Sequence, residues 1–231
     1  MSSALKRILS SLVLIPVCIA AIWYGGLALC SLLGLCIILS LVEWANLSFR
    51  LTRSAIKRLI LLLVGLVYIS FSFSMVAMIG LSGFGVPDEG KEWILFLFLT
   101  IWSSDTLAYV IGKNFGGPKM TPTISPNKTW SGYAGALLGP ALTLTFCIHV
   151  LTPFSMIEHT PPGLLTFLAG AVIGIVGQAG DLMISYMKRS AGLKDTGHLI
   201  PGHGGILDRI DALLLVVPVY AAYILLIHPD Y

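Results

Sequence analysis

Charge is what this sequence has least of: Lys, Arg, Asp and Glu together make up 11% of its 231 residues, against about a quarter in an ordinary soluble domain. With a mean hydropathy of +0.90, that scarcity excludes a water-soluble globular fold. A net charge of only +3 gives no argument for nucleic-acid binding, which draws on a dense positive field. The four cysteines, Cys18, Cys30, Cys36 and Cys147, sit inside apolar runs and form no CxxC pair, so neither a zinc site nor a disulfide framework is indicated. No internal repeat and no low-complexity tract is visible. A cleaved leader is not indicated either: the apolar run after Lys6 and Arg7 continues past Ala20 and Ala21 into Ile22, Trp23 and Tyr24, which suits a retained first span.

What is present is a series of long apolar runs. Seven are long enough to cross a hydrocarbon core, which takes roughly 20 residues: about 8–25, 27–47, 59–82, 92–112, 131–152, 163–187 and 206–227. Backbone polar groups find no partners in lipid, so such runs must be helices. The expected fold is all-α, a polytopic bundle of about seven spans in a single membrane-embedded domain, with N-terminal spans over 1–100 and the polar loops over 101–231. An excess of Lys and Arg marks cytoplasmic loops. With the N-terminus inside, 13 of the 14 basic residues fall on the cytoplasmic side, Lys91 being the exception. Both long polar loops, 113–130 and 188–205, then share that side.

Ionisable groups at membrane depth cost about 2.5–3.5 kcal/mol each on insertion scales, so they are functional candidates by default. Here they are Asp105, Asp181, Asp208, Arg209, Asp211 and Glu43. Glu43, beside Trp44, reads as an interfacial anchor. For the three later aspartates the alternative to function is a structural ion pair with Arg209 or Lys188. Gly170, Gly174, Gly177 and Gly180 recur at helical offsets and place a groove along one face of span six. Asp181, Ser185 and Lys188 share that face, so the carboxylate points into protein.

Asp208 and Asp211 lie three apart on one helical face. Carboxylates gathered with Asp181 repel one another unless a cation lies between them, and oxygen ligands without His or Cys favour Mg²⁺, which completes its shell with substrate phosphates. Positive charge for those phosphates comes from Lys188, Arg189, Lys194 and Arg209. Gly202, Gly204 and Gly205 would let backbone amides approach an anion at the N-terminus of span seven. The loop before span five has the same character. Asp105 and Tyr109 share a face of span four, and the stretch TPTISPNKT over Thr121–Thr129, with Lys119 before it, offers Ser125, Lys128 and Thr129 to a phosphate or nucleotide. A solvated basic loop touching headgroups is the plainer alternative.

Ser185-Tyr-Met-Lys188-Arg189, then Lys194-Asp195, Gly197, Pro201, His203-Gly204-Gly205-Ile-Leu-Asp208-Arg209-Ile-Asp211 resembles the hallmark pattern of the phosphatidate cytidylyltransferases, the CDP-diacylglycerol synthases. Asp105-Thr-Leu-Ala108-Tyr109, Gly112, Gly116 and Ile124-Ser125-Pro126-Asn127-Lys128-Thr129 also resemble that family. The likeness covers roughly the C-terminal 130 residues.

The resemblance implies transfer of a cytidylyl group from CTP to phosphatidate at the cytoplasmic face of a cell (inner) membrane. Catalytic roles would fall to Asp181, Lys188, Arg189, Lys194, Asp195, His203, Asp208, Arg209 and Asp211. Substrate contacts would come from Asp105, Tyr109, Lys119, Ser125, Asn127, Lys128, Thr129, Ser185, Gly204 and Gly205. Mg²⁺ would sit on Asp181, Asp208 and Asp211, with room for a second cation, and a homodimer is a family expectation. Ser131 stands where relatives commonly carry Glu, so one carboxylate of the pattern is missing. CDP-archaeol synthesis is the nearest rival. A secondary transporter is the rival from another class, but paired halves and midplane charges are not seen.

Overall fold

The computed structural model describes residues 3–82, 89–151, 161–200, 202 and 204–227. Among the described residues seven helices follow one another: α1 (Ser3–Tyr24), α2 (Gly26–Leu51), α3 (Ala55–Ser82), α4 (Glu89–Phe115), α5 (Trp130–Phe146, extended by a π-helical turn over Cys147–Leu151), α6 (Gly163–Ser190) and α7 (Leu207–Ile227). Six are long and apolar enough to cross a membrane, while the apolar part of α1 is the shorter stretch Leu12–Tyr24. Large apolar side chains such as Leu27, Ile56, Val67 and Leu164 stand exposed on the outside, as a lipid-facing surface requires.

The joints follow local chemistry. Gly25 at φ +60° and Gly26 at φ +44° turn the chain between α1 and α2 through left-handed backbone that a side chain would disfavour. The basic break expected over Arg50–Arg58 shrinks to three non-helical residues, Thr52 to Ser54. Arg58 tightens it, donating from Nη2 to the Thr52 carbonyl at 3.0 Å while its guanidinium stacks 4.4 Å above the Phe49 ring.

The glycine groove of α6 is present, and it serves two neighbours instead of one. A methyl group at Gly170 would lie 2.6 Å from the Ala141 Cα, and one at Gly174 would lie 3.0 Å from the Leu137 Cα, so this half packs backbone to backbone on α5. At Gly177 and Gly180 the neighbours are Val216, Ala212 and the Asp211 carbonyl of α7. The half gripped by α7 carries Asp181. On the far side of α5, Gly132, Gly135 and Gly139 bring α4 equally close.

Overpacking such a contact typically costs 1–3 kcal/mol. Gly180→Ala, whose Cβ would stand 2.6 Å from the Asp211 carbonyl, should therefore melt measurably lower in detergent. Gly34→Ala, with nothing within 4 Å, should leave the melting temperature unchanged or raise it.

The N-terminal helices are fastened to this core. Trp44 on α2 donates from Nε1 to the Leu61 carbonyl of α3 at 2.8 Å, and Ser72 on α3 donates to the Leu214 carbonyl of α7 at 2.6 Å. Tyr220, fully buried, donates to the Trp93 carbonyl at 2.9 Å.

The stretch after α4 is more ordered than its two prolines suggest. It folds into a two-stranded antiparallel ribbon, β1 (Lys119–Thr121) and β2 (Ser125–Thr129), with Lys119 opposite Thr129 and Thr121 opposite Ser125. Pro122 takes the second position of the connecting turn, closed by Ile124 N–H donating to the Thr121 carbonyl at 3.2 Å, where its fixed φ is an advantage. Pro126 is tolerated because a two-stranded ribbon has open edges. The ribbon ends where Thr129 caps α5, its hydroxyl accepting from Gly132 N–H at 3.1 Å.

Candidate functional site

The C-terminal ends of α4 and α6, the ribbon and the N-terminus of α7 meet at one end of the bundle. Lys128 on β2 reaches α6, its ammonium 2.7 Å from Gln178 Oε1 and 2.6 Å from Asp181 Oδ2. These acceptors are three residues apart, hence on one helical face. Ser185, one turn on, donates to Asp181 Oδ1 at 3.1 Å.

A second carboxylate–lysine pair lies another turn along. Lys188 Nζ is 2.6 Å from Asp208 Oδ1, with side-chain exposures of 11% and 3%. Asp208 Oδ2 accepts three further hydrogen bonds, from Thr196 N–H at 2.8 Å, Gly205 N–H at 3.0 Å and the Thr196 hydroxyl at 3.0 Å. Carboxylates this well supplied with donors are held charged and fixed in place. The sequence alternative of an ion pair between Asp208 and Lys188 is therefore realised. It does not separate structure from function, because the pair sits inside the motif.

Asp211 accepts from Ala212 N–H at 2.8 Å, and both it and Asp105 lie within electrostatic reach of Asp181. Between α4, α5, α6 and α7 a small cavity of about 10 Å³, bordered by Ser104, Asp105 and Gln178, has room for a single water. Among the described residues no three of His, Cys, Asp and Glu are gathered tightly enough to enclose a metal ion by themselves. Asp181 and Asp208 instead each face a lysine ammonium.

Around them stand the cations. Lys119, Arg189, Lys194 and Arg209 are exposed. Arg189 joins the two loops, donating to the Ile124 carbonyl at the ribbon turn and to the Leu193 carbonyl, each at 3.2 Å. The ribbon is thus tied down beside the loop that follows α6.

Asn127 is exposed and Ser125 half-buried on the ribbon. Tyr109 is exposed on α4, where its hydroxyl accepts from Lys113 at 3.4 Å. Thr129 is buried in its capping role. Ser131 bonds the Gly116 carbonyl and stands 3.1 Å from the Thr129 hydroxyl, fastening the exit of α4 to the start of α5. Asp195 lies half-buried beside Gly204. His203 lies outside the described residues.

The glycine loop differs from the anion cradle expected of it. Gly204 N–H donates to the Ile200 carbonyl at 3.1 Å and Gly205 N–H to Asp208, so these two amides close the loop on itself. The N-terminus of α7 already has its anion. Glu43 of α2, 6% exposed, accepts from Ile206 N–H at 3.0 Å, Leu207 N–H at 2.9 Å and the Thr196 hydroxyl at 2.8 Å.

The anchor role read for Glu43 is thereby corrected: it faces the loop, and its neighbour Trp44, 3% exposed, is a core residue. Glu43, Thr196 and Gln178 belong to the site and were not singled out as site residues from sequence. A lone glutamine one turn before Asp181 in an apolar span was the available signal for Gln178. For Glu43 the signal was a carboxylate whose burial the neighbouring tryptophan disguised.

Residues 49–227 match the profile of the cytidylyltransferase family. A phosphatidate cytidylyltransferase of Rickettsia felis is 36% identical over 219 residues, covering 92% of this chain and 88% of the relative. Its counterpart from Rickettsia typhi is 35% identical over 219 residues, covering 93% and 89%. That of Brucella melitensis is 41% identical over 150 residues, covering 65% and 52%.

Proposed function

Because the chain belongs to the cytidylyltransferase family, we propose that it joins CTP and phosphatidate to give CDP-diacylglycerol and pyrophosphate. The observation that carries the reading is the pair of lysine-held carboxylates, Lys128–Asp181 and Lys188–Asp208, each closed at 2.6 Å beneath two basic loops. Such an arrangement suits a reaction whose participants are all phosphates.

A phosphatidate oxygen attacks the α-phosphorus of CTP. The new P–O bond forms as the bond to the bridging oxygen of pyrophosphate breaks. No strong base is required, since a phosphomonoester with a second pKa near 6 is already largely ionised at neutral pH. Lys188, Arg189, Lys194 and Arg209 neutralise charge on the phosphoryl oxygens, and the ribbon, anchored through Lys128 and Arg189, holds the nucleotide against α6.

The donor set fits magnesium. Asp181, Asp208 and Asp211 offer carboxylate oxygens alone, too few to enclose an ion, as expected where phosphates complete the shell. Asp181 and Asp208 each hold an ammonium, the place a bound magnesium would take or share, with Asp211 within electrostatic reach of Asp181. Bound there, magnesium would neutralise the triphosphate and the leaving pyrophosphate. The excess of Lys and Arg in these loops supports a site at the cytoplasmic face of the cell membrane, the side on which CTP is found.

Protein reconstituted in vesicles with Mg²⁺, phosphatidate and labelled CTP should yield labelled CDP-diacylglycerol. Chelation should reduce the rate to background and added Mg²⁺ restore it. Archaeol-type lipid phosphates in the same assay should support less than about a tenth of the rate. A greater rate on the ether lipid would transfer the assignment to CDP-archaeol synthesis, and undiminished turnover under chelation would remove the metal.

A further inference from the structure

We infer that Glu43 of α2 is a positioning residue for the catalytic loop, holding Thr196, Ile206 and Leu207 where Asp208 and Lys188 come together; this rests on the cytidylyl-transfer reading of the site. Glu43 lies in the N-terminal part of the chain, ahead of the 49–227 stretch that matches the family profile. Its carboxylate nonetheless reaches 153–164 positions along the sequence to Thr196, Ile206 and Leu207.

Burying a carboxylate is costly unless donors surround it. Here three converge on it. Two are backbone N–H groups at the start of α7, which have no partners within their own helix and lie at the positive end of its dipole. The third is the Thr196 hydroxyl, which stands 2.8 Å from Glu43 Oε2 and 3.0 Å from Asp208 Oδ2. A hydroxyl has a single proton, so the two carboxylates share this one donor, and Thr196 links the α2 carboxylate to the carboxylate paired with Lys188.

The loop is shaped to admit this intrusion. A Cβ at Gly197 would stand 2.6 Å from Glu43 Oε1, and one at Gly205 would meet both Glu43 oxygens and the Thr196 hydroxyl. These two glycines are required by the incoming side chain.

The amide isostere separates positioning from bulk. Glu43→Gln keeps the size but turns an NH₂ toward the Ile206 or the Leu207 N–H, and misplacement of a loop by about 1 Å can cost on the order of 100-fold in rate. In the vesicle assay with CTP and phosphatidate, Glu43→Gln should lower kcat by roughly 30-fold while both KM values stay within about threefold, the pattern of an interaction realised in the transition state. Thr196→Val should lower kcat by roughly 10-fold. The double variant should be no worse than Glu43→Gln alone, because both act through one link.

Amide hydrogen exchange over 196–207 should quicken in each variant. The inference is overturned if Glu43→Gln keeps kcat within threefold of wild type, if the two losses multiply, or if kcat falls only in proportion to folded protein. Wild-type protein inert on CTP and phosphatidate would instead defeat the activity reading, while the exchange data would still report the grip of Glu43 on the loop.

Discussion

Asp208→Asn should lower turnover of CTP and phosphatidate by at least about 10³-fold, a loss of roughly 4 kcal/mol of transition-state stabilisation, and should destabilise the protein as well. Asp208 Oδ1 holds Lys188, and Oδ2 holds Thr196 and Gly205. An asparagine oxygen can serve one of these sets. Its NH₂ would then face either the ammonium or two backbone N–H groups. Breaking a buried pair by removing one member typically costs 3–5 kcal/mol, because the other is left as an uncompensated charge. Removing both charges in Asp208→Asn with Lys188→Met should recover much of the melting temperature and none of the turnover. If the double variant regained activity along with stability, the pair would be scaffolding only.

Lys128→Met should reduce kcat/KM for CTP by about 10²-fold, the scale of losing one charge-stabilising donor, with little change in melting temperature. The residue sits on the ribbon, partly open at 21% side-chain exposure, so the helices can pack without it. What it fixes is the distance between ribbon and α6, through Gln178 and Asp181 together. Lys128→Arg should restore only part of the rate, since a planar fork does not fill a slot shaped for a point charge between two acceptors. Steady-state kinetics over a CTP series would show the loss, and wild-type kcat/KM in Lys128→Met would mean that the ribbon does not touch the nucleotide.

The helices were legible because each run ends at a polar or Gly/Pro break. The expected span 163–187 is α6 at Gly163–Ser190, and 206–227 is α7 at Leu207–Ile227. The inward face of Asp181 was legible too, from glycine spacing alone. Periodicity could not say that α5 takes one half of that face and α7 the other, because it reports a face and not its neighbours. The ribbon escaped notice since Pro122 and Pro126 signal only a stiffened loop until the turn that uses Pro122 is seen.

Glu43 escaped for a different reason. A carboxylate beside tryptophan near a span end has a plain interfacial explanation, and the three donors that make it a buried loop clamp come from residues more than 150 positions away. The motif over Lys188–Asp211 identified the chemistry while leaving out the residue that braces it from outside.

Labelling CTP at either its α- or its γ-phosphorus, in the same vesicle assay with phosphatidate, addresses the central claim most directly. Attack at the α-phosphorus predicts that α-label enters the lipid fraction in step with pyrophosphate release, while γ-label appears only in pyrophosphate. Lipid that acquires γ-label, or acquires neither while CTP is consumed, would contradict cytidylyl transfer at this site.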